Sequence, residues 1–129
     1  VVDTLLNMKY HEITGTVPDL RMEVEGLQFP EKLFIQSYDI GIVLGNALDN
    51  AISACKRQTS DMKKYINVTG RMQGNIILIE IENSFCRKGV IHKGTGLKNI
   101  QAAAEKYNGI MSMKAQGAVF TLSVMLVVP

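Results

Sequence analysis

Residues 37–57 read SYDIGIVLGNALDNAISACKR and carry the strongest structural signal in the chain. Their apolar residues recur at intervals of three and four, which predicts an amphipathic helix with one buried face. Ser37 suits the N-cap, and Asp39 suits the first turn, where an acidic side chain stabilises the positive end of the helix dipole. The buried face would consist of Ile40, Val43, Leu44, Ala47, Leu48, Ala51 and Ile52.

Alternating apolar and polar residues on both sides of this helix predict strands. Gly74-Asn75 and Gln116-Gly117 are typical of hairpin turns, so neighbouring strands should pair in antiparallel fashion. We therefore expect an α+β fold, a two-layer α/β sandwich whose mixed, mainly antiparallel sheet is covered by helices on one face. The other expected elements are a helix at 3–12, strands at 20–25, 65–70 and 76–81, a loop at 83–93, a helix at 97–107 ended by Gly109, and strands at 110–115 and 119–128.

The composition indicates one globular domain and excludes several function classes. The 129 residues are 47% hydrophobic and 20% charged, which is enough apolar material for a core without disulfides. The net charge of +2 is too small for a nucleic-acid footprint, and no apolar run approaches the roughly 18 residues of a membrane span. Cys55 and Cys86 lack zinc or redox spacing, which favours a cytoplasmic setting. The chain opens on Val1, so we expect residues 1–129 to be a single domain of a longer protein.

Two asparagines on the long helix form the first candidate site. Asn46 and Asn50 are four residues apart and share a helix face, which Ser53 and Arg57 continue away from the apolar stripe. Asparagine is disfavoured in helix interiors, and its side-chain oxygen suits a magnesium ion that phosphate oxygens already hold. A solvated polar face would show the same spacing, so both interpretations stay open.

The segment Gly94-Thr95-Gly96-Leu97 opens the next helix and forms the second candidate site. Glycines allow a ligand to approach the backbone closely, and free amides at a helix start bind anions such as phosphate. Lys98 lies in the first turn, where a bound phosphate would offset its unfavourable interaction with the helix dipole. The alternative is an ordinary loop whose glycines precede a helix.

Asn83 and Ser84 follow the apolar strand and form the third candidate site. A polar side chain at that place could read the edge of a planar ligand through hydrogen bonds. A strand-terminating turn would use the same residue types.

Taken together, these segments resemble the GHKL ATPases, a family that includes gyrase, MutL and the sensor histidine kinases. Gly45-Asn46-Ala47-Leu48-Asp49-Asn50-Ala51 is similar to the N box of the family, and Gly94-Thr95-Gly96-Leu97-Lys98-Asn99-Ile100 to its second glycine box. The resemblance covers essentially the whole chain. Leu5-Leu6-Asn7-Met8-Lys9 and Gly117-Ala118-Val119-Phe120 resemble the histidine-kinase branch, and within it the receptor kinases for peptide pheromones and quorum sensing.

The resemblance implies a Bergerat fold that binds ATP and Mg²⁺ between the long helix and the following loop. By motif position Asn50 would hold the magnesium ion, and Asn46 would occupy the catalytic position at which hydrolytic members carry a water-activating glutamate. Asn83 falls where most members have an aspartate that reads the adenine amino group. The residues that would bind the cofactor are Asn46, Asn50, Asn83, Lys93, Gly94, Thr95, Gly96, Leu97 and Lys98.

The implied activity is that of the catalytic domain of a protein histidine kinase. Such a domain donates the γ-phosphate of ATP to a histidine on a separate dimerisation domain of the same protein, and a response regulator receives it in turn. The resemblance thus implies a cytoplasmic domain of a membrane-bound receptor, with no nucleic acid and no direct membrane contact by this segment.

Three departures from the family pattern keep a second function open, and a hydrolytic ATPase is a third possibility. Asn83 replaces the usual aspartate and no D-x-G-x-G box follows it, Ser53 stands where many kinases place a phosphate-binding lysine, and the loop before Gly94 is short. A regulatory or protein-interaction module without phosphate transfer would fit these departures. A hydrolytic ATPase is disfavoured, because Asn46 has no carboxylate to activate water.

Overall fold

A computed structural model of the chain describes residues 2–16, 20–26, 37–57, 63–84 and 95–127. Every predicted helix and strand is present in the predicted order. Among the described residues, no helix is long and apolar enough to cross a membrane. The elements are helix α1 (Val2–Thr16), strand β1 (Arg21–Glu25), helix α2 (Ser37–Lys56), strand β2 (Tyr65–Gln73), strand β3 (Ile76–Ser84), helix α3 (Thr95–Lys106), strand β4 (Ile110–Gln116) and strand β5 (Val119–Val127).

The five strands form one sheet in the order β1-β2-β3-β5-β4. β1 runs parallel to β2, and the other neighbouring strands are antiparallel. Gly74 and Gly117 adopt φ angles of +60° and +62° in the two hairpin turns, a conformation that glycine adopts without steric cost. The predicted mixed, mainly antiparallel sheet is confirmed.

The helices cover one face of this sheet and enclose the core. Buried residues alternate with more exposed ones along β3 and β5, as a pleated sheet with one covered face requires. The predicted stripe of α2 is buried from Ile40 to Ile52, and each large side chain removed from water contributes about 1.5–3 kcal/mol. The strands contribute Ile66, Val68, Ile77, Ile79, Ile81, Phe120, Leu122, Val124 and Leu126 to the same core.

Three predicted elements were too short. β2 continues beyond residue 70 to Gln73, because these residues still pair with β3. α1 continues to Thr16 instead of ending near Glu12, because Ile13 is buried and keeps the last turn packed on the protein. β3 includes Asn83 and Ser84, which were assigned to the following loop, because both residues still pair with β5. Polar side chains do not end a strand while the neighbouring strand still accepts and donates its backbone hydrogen bonds.

Helix α3 ends at Lys106, and the residue that terminates it is Asn108 instead of Gly109, the predicted stop. Asn108 adopts the left-handed conformation, with φ of 55°, and donates its backbone N–H to Glu105 O at 3.0 Å. Gly109 N–H closes the motif on Ala104 O at 2.7 Å, the pattern of a Schellman cap. Gly109 is needed for a different reason, because a Cβ there would lie 1.8 Å from Met125 O on β5.

A buried carboxylate joins the start of α2 to the end of α3. Asp39 is 6% exposed and accepts hydrogen bonds from the Tyr107 hydroxyl and from Lys106 Nζ, the latter at 3.0 Å. The hydrogen bond from Tyr107 and the neighbouring Lys106 ammonium lower the pKa of Asp39 below its usual 3.8, although burial acts in the opposite direction. This cluster holds the two helices together at one end of their contact.

Asp39→Asn should lower the free energy of unfolding at neutral pH by about 1–3 kcal/mol, because the replacement removes the charged acceptor. A carboxyl whose pKa is depressed in the folded state contributes stability above its unfolded pKa, and that contribution is lost as the pH falls through the folded pKa. The difference between wild type and variant should therefore shrink below pH 3.8.

Urea denaturation across this pH range measures the difference. Glu105→Gln changes an exposed carboxylate in the last turn of α3 and serves as the control, with an expected effect within about 0.5 kcal/mol. A difference between Asp39→Asn and wild type that stays constant through the acid range would contradict the assigned role.

Candidate functional site

The polar face of α2 and the first turn of α3 line a groove of about 330 Å³. On α2 the spacing of four, three and four residues from Asn46 to Arg57 keeps these side chains on one track. Because the opposite face of α2 is buried against the sheet, this track is left outside the core. The groove is lined by Asn46, Asp49, Asn50, Ser53 and Arg57 from α2, and by Gly96 and Leu97 from α3.

Asn46 is held in place by both helices. Its Nδ2 donates a hydrogen bond to Ile42 O at 2.8 Å, one turn earlier in α2, which orients the amide. A Cβ on Gly96 would lie 3.1 Å from Asn46 Oδ1, closer than side chains ordinarily approach. Glycine at position 96 therefore lets α3 begin directly against the asparagine.

The start of α3 also offers backbone donors to the groove. The first backbone N–H groups of a helix have no partner within the helix, and they carry the positive end of its dipole. The first turn of α3 contains no acidic residue, and Lys98 is exposed there. These features suit a bound anion such as phosphate.

Charged side chains stand along the α2 side of the groove. Arg57 lies at the far end of α2, where its Nε donates to Ser53 O at 3.2 Å. Asp49 lies between the two asparagines and forms an ion pair with Lys9 of α1. The groove therefore combines amide and hydroxyl groups with a cation and an ion-paired carboxylate.

The structure brings together four of the predicted site residues, Asn46, Asn50, Gly96 and Leu97. Ser53 and Arg57, which the sequence placed on the same helix face, line the same groove. Thr95 is the first residue of α3. Lys98 is in the first turn but is not among the described residues that line the groove. Lys93 and Gly94 lie outside the described residues, as does most of the predicted loop.

Asn83 lies apart from this groove. Its side chain is buried, at 1% exposure, and its Nδ2 donates to Ser84 O at 2.9 Å. Its register partners are Ile66 on β2 and Phe120 on β5, both of which belong to the core. Ser84 in turn approaches Cys55 of α2, with the two side-chain atoms 3.8 Å apart. Asn83 thus lies among core residues of the sheet, and its neighbour Ser84 contacts the far half of α2.

Sequence reasoning missed the roles of Asp49 and Lys9. Asp49 is three residues from Asn46, so helical spacing could have placed it beside the asparagine track. Lys9 is forty positions from Asp49, and no local pattern links the two residues. Only the packing of α1 on α2 brings them together.

The family comparison gives one match that covers most of the chain. The GHKL domain family matches residues 35–127, a range that contains the whole of α2 and every later element. The chain has no significant match among curated protein sequences.

Solved structures with a similar fold include several histidine kinases. The nucleotide-free catalytic domain of the histidine kinase ThkA superposes with a TM-score of 0.73 at 15% identity, over 98% of this chain and 92% of that one. The Acinetobacter baumannii histidine kinase AdeS gives a TM-score of 0.76 at 16% identity and is covered to 62%. The domain of the Erythrobacter litoralis blue-light-activated histidine kinase gives 0.72 at 12% identity. At these identities the similarity establishes the fold.

The contact between Gly96 and Asn46 predicts that two helical glycines respond differently to alanine. At Gly41 of α2 a Cβ meets no described atom within 4 Å, so Gly41→Ala should stabilise the protein by about 0.5–1 kcal/mol. Gly96→Ala should give no such gain, because its methyl group would press on Asn46 Oδ1.

Chemical denaturation of the two variants measures the difference. A Gly96→Ala variant that is stabilised as much as Gly41→Ala would show that α3 does not approach Asn46 this closely.

Proposed function

The chain belongs to the GHKL domain family, and on that premise we propose that its groove binds ATP with Mg²⁺ and that the domain donates the γ-phosphate to a histidine. One observation carries the proposal. Two segments about fifty residues apart in sequence, the N box around Asn46 and Asn50 and the glycine box around Gly96, line a single groove. Neither segment alone distinguished a nucleotide site from ordinary helix surface.

The groove residues fit a magnesium–triphosphate complex. Asn50 offers a neutral amide oxygen, which suits a magnesium ion whose other ligands are phosphate oxygens and water. In our proposal Asn50 holds this ion, the amides at the start of α3 hold phosphate oxygens, and Arg57 and Lys98 supply positive charge. Magnesium would neutralise charge on the phosphates when bound.

The same residues favour phosphate transfer over hydrolysis. Hydrolysis needs a general base that takes a proton from water, and the Asn46 amide cannot serve as one. Asp49 is the only carboxylate among the described residues that line the groove, and it is paired with Lys9. Phosphoryl transfer depends chiefly on positioning and charge neutralisation, which amides and cations can provide.

We propose that the adenine base extends from the groove towards Asn83. Its Nδ2 is occupied by Ser84 O, which leaves Oδ1 as the atom suited to accept a hydrogen bond from the adenine amino group. An asparagine can make this bond as an aspartate does, but without the negative charge. The loop that contains Lys93 and Gly94 would complete the phosphate site.

The choice of a histidine as acceptor rests on the structural neighbours, which are named as histidine kinases. We extend the proposal to a cytoplasmic domain of a receptor kinase of the peptide-pheromone and quorum-sensing branch. Its partners would be a phosphoacceptor histidine domain of the same protein and, through that domain, a response regulator.

Asn50→Ala should weaken binding of a non-hydrolysable ATP analogue by about tenfold or more in the presence of Mg²⁺, because a ligand to the ion is lost. The variant should also lose most of the difference between affinities measured with and without magnesium. Asn67→Ala is the matched control, because Asn67 lies on β2 opposite Glu82 and takes no part in the groove.

Isothermal titration calorimetry of wild type, Asn50→Ala and Asn67→Ala, each with and without Mg²⁺, measures these affinities. Unchanged affinity in Asn50→Ala would remove the magnesium assignment. No binding by the wild-type chain at millimolar analogue would overturn the nucleotide site and favour an interaction module. Transfer from radiolabelled ATP to a supplied histidine domain, with little free phosphate released, would then distinguish the kinase from a hydrolase.

A further inference from the structure

Helix α1 packs along α2 immediately beside the groove, and its lysine neutralises a groove carboxylate. We propose that α1 regulates the groove through this charge: when α1 is docked, Lys9 cancels the negative charge of Asp49, and the affinity for a nucleotide triphosphate rises. Lys9 and Asp49 are thus positioning residues that couple the docking of α1 to the affinity of the groove. The inference rests on the proposed function and adds an element that controls it.

Two contacts, one helical turn apart, dock α1 on α2. A Cβ on Gly45 would lie 4.0 Å from Leu5 Cδ1, an ordinary van der Waals distance, so Leu5 of α1 lies next to this position of α2. One turn later on both helices, Lys9 Nζ meets Asp49 Oδ1. The two contacts are four residues apart on α1 and four residues apart on α2. The two helices therefore lie side by side and run in the same direction. Gly45 and Asp49 are also the immediate neighbours of Asn46 and Asn50.

The ion pair between Lys9 and Asp49 lies at the edge of the groove. The Lys9 side chain is only 17% exposed, whereas the Asp49 side chain is 57% exposed and lines the groove. Glu12, one turn further along α1, lies 3.8 Å from the same ammonium group. Lys9 is therefore held between carboxylates of α1 and α2, and its charge is placed by the docking of α1.

An unpaired carboxylate at Asp49 would oppose the proposed ligand. A magnesium–triphosphate complex is a net anion, and a second negative charge beside it lowers its affinity, most strongly at low ionic strength. Lys9 removes this repulsion without contacting the groove itself. A movement that slides α1 along α2 separates Lys9 from Asp49 and restores the repulsion.

Coupling of this kind is reciprocal. If docking of α1 strengthens nucleotide binding by some factor, nucleotide binding strengthens the docking of α1 by the same factor. A signal that displaces α1 would thus weaken nucleotide binding without altering any residue of the groove.

Lys9→Met tests the charge while keeping the aliphatic stem that packs between the helices. We expect this variant to bind the ATP analogue about fivefold more weakly than wild type in low salt. In the D49N background the same substitution should change the affinity by less than about twofold, because position 49 then carries no negative charge in the groove for Lys9 to offset. Lys114→Met removes an exposed lysine on β4, away from the groove, and controls for the change in net charge.

The measurement is calorimetric titration of four proteins: wild type, Lys9→Met, D49N and the double variant. Each is titrated with the magnesium-bound analogue and, separately, with adenosine. The charge mechanism predicts a weaker triphosphate interaction and an unchanged adenosine interaction in Lys9→Met. Equal loss for both ligands, loss that persists in the D49N background, or no loss at all would overturn the inference. If wild type binds neither ligand, the proposed function fails; if wild type binds and the cycle shows no coupling, only the inference fails.

Discussion

Helix α2 has to bury one face against the sheet, and this constraint places everything else in the site. Its apolar residues from Ile40 to Ile52 complete the core, so the helix cannot rotate without exposing them. With its rotation set, the track from Asn46 to Arg57 is directed away from the core, and Gly45 and Asp49 are directed towards α1. A single helix therefore covers the core, lines one side of the groove and provides the surface on which α1 packs.

The groove exists because α3 covers only part of α2. The end of α3 is tied to Asp39 at the start of α2 through Tyr107 and Lys106, and the start of α3 meets α2 at Asn46. The two helices thus run in opposite directions between these two contacts. Beyond Asn46 the polar face of α2 continues along the groove through Asn50 to Arg57. The groove and the start of α3 consequently occur at the same place, an arrangement that suits a phosphate ligand.

The sequence predicted the parts of this molecule that depend on periodicity and turn chemistry. The stripe of α2, the hairpin glycines and the pairing of neighbouring strands all leave local signals, and the structure confirms each of them. The joint position of Asn46 and Gly96 was reached only through the family resemblance, because fifty residues separate them.

The remaining features depend on tertiary contacts that local patterns do not contain. The sequence predicts that Gly109 ends α3, since glycine is the usual residue in a left-handed cap, but Asn108 takes that position. Gly109 is required instead because β5 leaves no space for a Cβ there. β3 continues through Asn83 because β5 still pairs with it. The pair of Lys9 and Asp49 joins two helices whose mutual register no sequence window shows.

The central claim is that a magnesium-bound nucleotide occupies the groove between α2 and α3. A heteronuclear NMR titration of the isotope-labelled chain with the magnesium-bound ATP analogue tests it directly. The account predicts saturable chemical-shift changes of the Asn46 and Asn50 side-chain amides and of the Gly96 backbone amide. The chemical shifts of the amides around Lys114 and Thr121, on the open face of the sheet, should not change. Shifts confined to that open face, or none at millimolar analogue, would contradict it.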